Sequence, residues 1–143
     1  MAKTSEILLE YRQDGRKTWA IRFFHSGVVR EYSDSRMEFK NGEIVTRPMP
    51  LAWREIARLT AGEMDKLLAT LRKANFFSLP GQVGDTKGIM DATTFTWTVH
   101  MDGQEKTVTA AGSEASNHPA LKLLREMIQE VTADAFDRQA GEK

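Results

Sequence analysis

Cysteine is missing from all 143 residues of the chain. Its absence excludes disulfides, thiolate metal sites and cysteine nucleophiles together. An excess of one charge is missing too: Lys+Arg and Asp+Glu each number 20, a formal net charge of zero. That balance argues against a nucleic-acid surface and against a polybasic membrane surface, so neither is an expected partner. No run approaches the ~18 apolar residues of a membrane helix. The opening Met1-Ala2-Lys3-Thr4-Ser5-Glu6 lacks the apolar stretch of a signal peptide. A cytoplasmic location is the expectation. Internal repeats and low-complexity tracts are absent as well.

The templates of chemistry are equally sparse. There are three histidines, His25, His100 and His118, and none stands at metal-ligand spacing from another histidine or a helical glutamate. The glycine loop Gly81-Gln82-Val83-Gly84-Asp85-Thr86-Lys87-Gly88 is not a P-loop. Its lysine precedes the last glycine, and the segment leads into a strand instead of a helix N-terminus. Asp85 and Asp91 lack the alternating acidic series of a calcium loop. Gly-x-Ser-x-Gly does not occur. No cofactor and no metal is expected.

What is present is a strongly patterned stretch from Thr60 to Gly112. Thr60-Ala61-Gly62-Glu63 fits a capping box. Met64, Leu67, Leu68 and Leu71 then recur at i, i+3, i+4 and i+7, one stripe of a helix. Glu63 and Asp65 at the start, and Arg72 and Lys73 at the end, suit the helix dipole. Asn75 fits the left-handed position that closes a helix. From Thr94 to Met101 the chain alternates strictly, with Phe95, Trp97, Val99 and Met101 on one side and Thr94, Thr96, Thr98 and His100 on the other. Asp102-Gly103 predicts a two-residue hairpin turn. That turn sets Trp97 opposite Val108 and Thr98 opposite Thr107, with a threonine row on the second face.

The N-terminal part reads as strands over Ile7–Tyr11, Lys17–Phe24 and Val28–Tyr32, separated by turns at Gln13-Asp14-Gly15 and Ser26-Gly27. Trp19, Ile21 and Phe23 are the favoured buried face over the pair Phe24 and Val29. Arg22 would then stand opposite Glu31. Met37–Phe39 and Glu43–Thr46 around Asn41-Gly42 predict a short polar hairpin that projects from the body. Trp53, Ile56 and Leu59 suit a short helix over Leu51–Leu59, although Arg54–Thr60 also passes for an edge strand. The glycine-bearing segment from Pro80 to Asp91 reads as a long loop, and 112–117 as a polar connection. His118-Pro119 opens a last helix with Leu121, Leu124, Ile128, Val131 and Ala135 as its buried stripe and Met127 beside it. Asp137–Lys143 reads as a frayed tail.

These elements predict one α+β domain over residues 1–136. An antiparallel sheet of four to five strands carries two amphipathic helices on one face. Leu59-Thr60, Leu67-Leu68, Ala74-Asn75-Phe76-Phe77-Ser78-Leu79-Pro80, Asp91 and Thr94–Val99 resemble a pattern in small bacterial α+β proteins. So do Gly103, Thr107-Val108, Pro119-Ala120-Leu121 and Leu124. One such group is emfourin, a protein inhibitor of thermolysin-like metalloproteases. The resemblance covers about residues 59 to 128, at core and turn positions. The 33–59 segment looks like an insertion relative to it. It implies a non-enzymatic binding module and assigns no inhibitory residue.

The functional expectation is therefore a non-catalytic protein-binding module, protease-inhibitor-like in its specific form. Its contact surface is the open sheet face or edge, the Asn41-Gly42 hairpin, or the 81–91 loop with Asp85, Lys87 and Asp91. Two alternatives stand beside it. One is an enzyme with a dispersed site in which His100 meets Asp91 or Asp102. The other is a structural homodimer through sheet-edge pairing. The partner is an unknown protein and the state a monomer or a homodimer.

Overall fold

The computed structural model describes residues 6–15, 18–83, 94–111 and 118–141. In chain order the elements are β1 (Ile7–Asp14), β2 (Thr18–Phe24), β3 (Val28–Lys40), β4 (Glu43–Arg58) and α1 (Ala61–Lys73). A short 3-10 turn (Phe76–Ser78) and β5 (Gln82–Val83) follow, then β6 (Thr94–Met101), β7 (Gln104–Ala111) and α2 (Pro119–Gly141). The architecture is α+β, with one seven-stranded sheet in the order β4-β3-β2-β1-β6-β7-β5. Every pairing is antiparallel except that of β5 with β7.

The patterned half forms as its residues require. Thr60 accepts from the Glu63 backbone N–H, and the Glu63 carboxylate accepts from the Thr60 N–H, closing the capping box. Asn75 takes the left-handed conformation just past α1, at φ 53°. Asp102 and Gly103 both have positive φ, and the turn sets Trp97 against Val108 and Thr98 against Thr107. The two threonine hydroxyls there lie 3.1 Å apart.

The core lies between the sheet and the helices. Leu9, Ile21, Phe23, Val29, Trp97, Val99 and Val108 from the sheet are buried with Leu67 and Leu71 of α1. From α2, the whole expected stripe Leu121, Leu124, Ile128, Val131 and Ala135 is buried, with Met127. Ile21 and Phe23 thus face inward as expected. Val29 joins them because it pairs with Phe23. Leu8 and Leu9 are both buried because the β1–β2 register shifts between Ile7 and Leu9. β4 is one edge of the sheet and β5 the other, so the segment carrying α1 crosses from edge to edge.

Three expectations need correction. The sheet has seven strands, not four to five, because β3 and β4 run on as full strands and Gln82-Val83 pairs with β7. Leu51–Arg58 is strand, not a short helix. The misleading spacing comes from a bulge: Arg30 faces Glu55 while Val29 faces Ala57, which leaves Ile56 as an extra residue. Trp53 consequently packs against Tyr32 as a tilted ring pair with centroids 5.3 Å apart, whereas Ile56 and Leu59 pack on the core. Finally, Arg22 stands opposite Arg30, not Glu31. It pairs with Glu10 across β1 and lies 3.9 Å over the Trp53 ring, while Glu31 accepts from the Trp19 indole N–H at 2.8 Å.

α2 continues to Gly141 through residues read above as a tail. Within that stretch Arg138 donates to the Glu63 carboxylate and to the Arg58 carbonyl, both at 2.6 Å. Burial raises the proton affinity of the Glu63 carboxyl. The bonds from Arg138 and from the Thr60 N–H, with the Arg138 charge, outweigh it and hold the group below its usual range. Three segments are tied together here: the end of β4, the start of α1 and the end of α2.

Candidate functional site

The feature that stands apart from this body is the far end of the β3–β4 hairpin. β3 pairs with β2 only from Val29 to Tyr32. Beyond Tyr32 its sole strand partner among the described residues is β4, and that pairing continues to Lys40 opposite Glu43. Asn41 and Gly42 close it with φ of 54° and 82°, a type I′ turn of the kind the Asn-Gly dipeptide predicts. The result is a two-stranded arm.

Two-stranded ribbons are marginal in water by themselves, because each strand lacks a second neighbour and a face to bury. This arm keeps an exposed outer strand: Glu43, Ile44, Thr46, Arg47, Pro48 and Pro50 are all exposed. Ile44 and Leu51, at 57 % and 53 %, are the large apolar side chains identified as exposed. Exposed apolar residues grouped on one element mark contact surfaces more often than scattered ones do.

The arm's root is built with care. Ser33 faces Ala52, but Ser35 faces Pro48, so Met49-Pro50-Leu51 bulges out of the ladder. Arg54 spans the bulge, donating to the Ser33 carbonyl at 3.0 Å and to the Pro50 carbonyl. The buried Ser33 hydroxyl shares its one proton between the Ser35 carbonyl at 2.8 Å and the Glu31 carboxylate at 3.1 Å. Glu31 in turn holds the Trp19 indole. A charged side chain and a buried hydroxyl therefore supply donors to three carbonyls beside the bulge, those of Ser33, Ser35 and Pro50.

The other candidates fall in different places. Asp85, Lys87 and Asp91 lie outside the described residues, as do most of the long loop and the 112–117 connection. Of the loop, Gln82 and Val83 form β5. His100 stands on the sheet face that carries the threonine row, with Nδ1 3.8 Å from the Glu105 carboxylate across the hairpin. The fold also brings His25 to it, since His25 Nε2 lies 3.0 Å from the His100 carbonyl. That contact uses the His100 backbone and leaves the two rings without a direct bond to each other. Asp102 is spent on the turn. His118 sits just ahead of α2 and its carbonyl accepts from Lys122. Among the described residues no group of three His, Cys, Asp or Glu is placed to hold a metal ion.

On the inner side, Tyr11 packs among Trp19, Phe95 and Trp97, with centroids 4.9 to 6.2 Å away. Burial pushes its hydroxyl pKa up, against opposing contributions from the Gln13 bond and the Arg125 charge. A neutral phenol in such a cluster is a packing group. The chemistry the arm offers is of another kind: main-chain hydrogen bonds along an open edge, apolar contact at Ile44 and Leu51, and charge at Glu43 and Arg47.

Sequence reasoning located the Asn41-Gly42 hairpin but not its reach or its clamp. The available signal was the pair Pro48 and Pro50, which strands tolerate only at an edge. No protein-family model matches the chain, and no curated protein matches it. No helix among the described residues is long and apolar enough to cross a membrane.

Proposed function

We propose that this chain is a non-catalytic protein-binding module and that the β3–β4 arm is its contact element. The observation that carries the reading is the pairing pattern. Both strands outrun the sheet beyond Tyr32, and the outer one stays exposed with Ile44 and Leu51 uncovered. Such a ribbon gains from a partner strand or surface what the rest of the described residues does not give it. The root clamp of Arg54, Ser33 and Glu31 supports a contact element held in a set direction. A cytoplasmic setting belongs to the same reading and rests on the cysteine-free composition.

The specific form is protease-inhibitor-like, on the emfourin-like pattern in residues 59–128. Titration into a thermolysin-like metalloprotease is expected to remove activity up to a stoichiometric plateau. Undiminished proteolysis at excess protein removes that form. The broader reading is tested by capture from native cells with the full chain and with an Ile44→Ser/Leu51→Ser variant. The variant is expected to lose partners that the parent retains, and an unchanged set of captured proteins refutes the arm as the contact element for another protein.

A second reading, a homodimer through sheet-edge pairing, is favoured by one observation: β4 is an edge strand on which Glu43, Ile44, Thr46 and Arg47 are exposed and Val45 is half-buried. Catalysis around His100 has weaker support, since among the described residues its ring is met by a single carboxylate on a strand face.

A further inference from the structure

We infer that the partner of the arm's outer edge is a second copy of this chain, joined about a two-fold axis at Val45. The inference rests on the arm being a contact element and names what it contacts.

The argument starts from backbone parity. A type I′ turn leaves Lys40 and Glu43 as a mutually hydrogen-bonded pair, and such pairs alternate along an antiparallel ladder. Glu43, Val45 and Arg47 therefore turn their backbone groups toward β3. Ile44 and Thr46 turn theirs to the open edge. Pro48 shares that outward parity, which is where a residue with no N–H fits without breaking the ladder.

An antiparallel two-fold pairing must match outward residues with outward residues. Centred on Val45, it sets Ile44 against Thr46 of the second copy, and the reverse, for four main-chain bonds. It sets Val45 against itself. It also sets Glu43 against Arg47 of the second copy, twice by symmetry, in the non-hydrogen-bonded pairs where side chains approach most closely. Moving the axis to Thr46 sets Ile44 against Pro48, which has no N–H to give, and moves Glu43 away from Arg47. Moving it to Ile44 sets Glu43 against Val45. Only the Val45 axis combines the main-chain bonds with a Glu43–Arg47 approach between the copies. Pro48 ends the ladder, so the contact stays short. Joining two arms gives a four-stranded ribbon, past the two-strand limit that leaves a lone hairpin marginal. A ladder this short buries less than the ~1,000 Å² of a stable interface, so the dimer is weak and concentration-dependent.

The chain has no cysteine, so a single introduced thiol reports on the axis directly. Non-hydrogen-bonded partners have Cα atoms about 4.5 Å apart, within disulfide reach of about 4.4–6.8 Å. Under mild oxidation Val45→Cys is expected to form a covalent dimer. Ile44→Cys is not, because its symmetry mate lies diagonally at about 7–8 Å. Sedimentation of the unmodified chain across concentration is expected to show reversible dimer. Glu43→Arg weakens it by roughly tenfold, and Glu43→Arg/Arg47→Glu restores it. A monomer at every concentration, with no trapping of a folded Val45→Cys protein, overturns the self-pairing. It leaves the arm as a contact element for another protein, which the capture experiment decides separately. Faster trapping of Ile44→Cys than of Val45→Cys overturns the axis.

Discussion

Two hairpins in this molecule close with the same turn chemistry and meet opposite fates. β6 and β7 turn at Asp102-Gly103, and β3 and β4 turn at Asn41-Gly42, each with positive φ at both positions. The first lies between β1 and β5, and its Trp97, Val99 and Val108 are fully buried beneath the helices. Among the described residues the second has only its own two strands beyond Tyr32, and Ile44 is more than half exposed. A turn fixes register, whereas burial is supplied by neighbours. Register without burial yields an element that is ordered by its ladder yet open to contact.

The largest expected effect breaks the buried side of this contrast. Trp97→Ala removes a fully buried ring and is expected to cost about 3–5 kcal/mol, read as a drop in the urea midpoint. Next comes the anchored end of β4, where Arg138, itself held by the Glu63 carboxylate, donates to the Arg58 carbonyl. Because the folded Glu63 carboxyl sits below its usual range, its contribution is full above the ordinary carboxylate pKa and is lost as pH falls through the lowered folded value. Glu63→Gln is expected to cost about 1–2 kcal/mol at neutral pH. Its midpoint should converge with that of the parent in acid.

The two turns supply a paired test. Gly103→Ala and Gly42→Ala both put a Cβ at positive φ, at 74° and 82°, with open space around it. Each costs about 1–2 kcal/mol locally. The first is expected to lower global stability by that amount. The second should speed amide exchange in the arm with little change in the global midpoint. The smallest effect is that of Ile44→Ser, expected within about 0.5 kcal/mol of the parent. A large loss there would show that the arm is part of the cooperative core after all.

Local chemistry was the legible part of this chain. The Thr60–Glu63 cap, both dipeptide turns, the Trp97–Val108 register and the α2 stripe each depend on residues a few positions apart, and each is found as read. What failed depended on phase or on distant partners. The extra residue Ile56 shifts the alternation of β4, so Trp53, Ile56 and Leu59 mimic a helical spacing although Trp53 faces the opposite side of the sheet. β5 exists only because Gln82 finds Thr109. For the contact surface, Asn41-Gly42 marked the tip. The clamp by Arg54 was illegible because it joins backbone carbonyls that only the bulge exposes.

The position of β1 carries one more consequence, for the order in which the chain is made. Its two neighbours are β2, which follows at once, and β6, whose Val99 meets Leu9 only after β2 to β5 and α1 have been made. Until then the innermost strand stands as an open edge beside an apolar face that α1 covers without α2. A nascent chain ending after the 3-10 turn therefore holds the meander β1 to β4 and α1 without the second helix or the β6–β7 hairpin. Such a fragment is expected to be held by chaperones or to aggregate instead of folding, and ribosome-bound fragments of stepped length should become protease-resistant only once α2 has emerged.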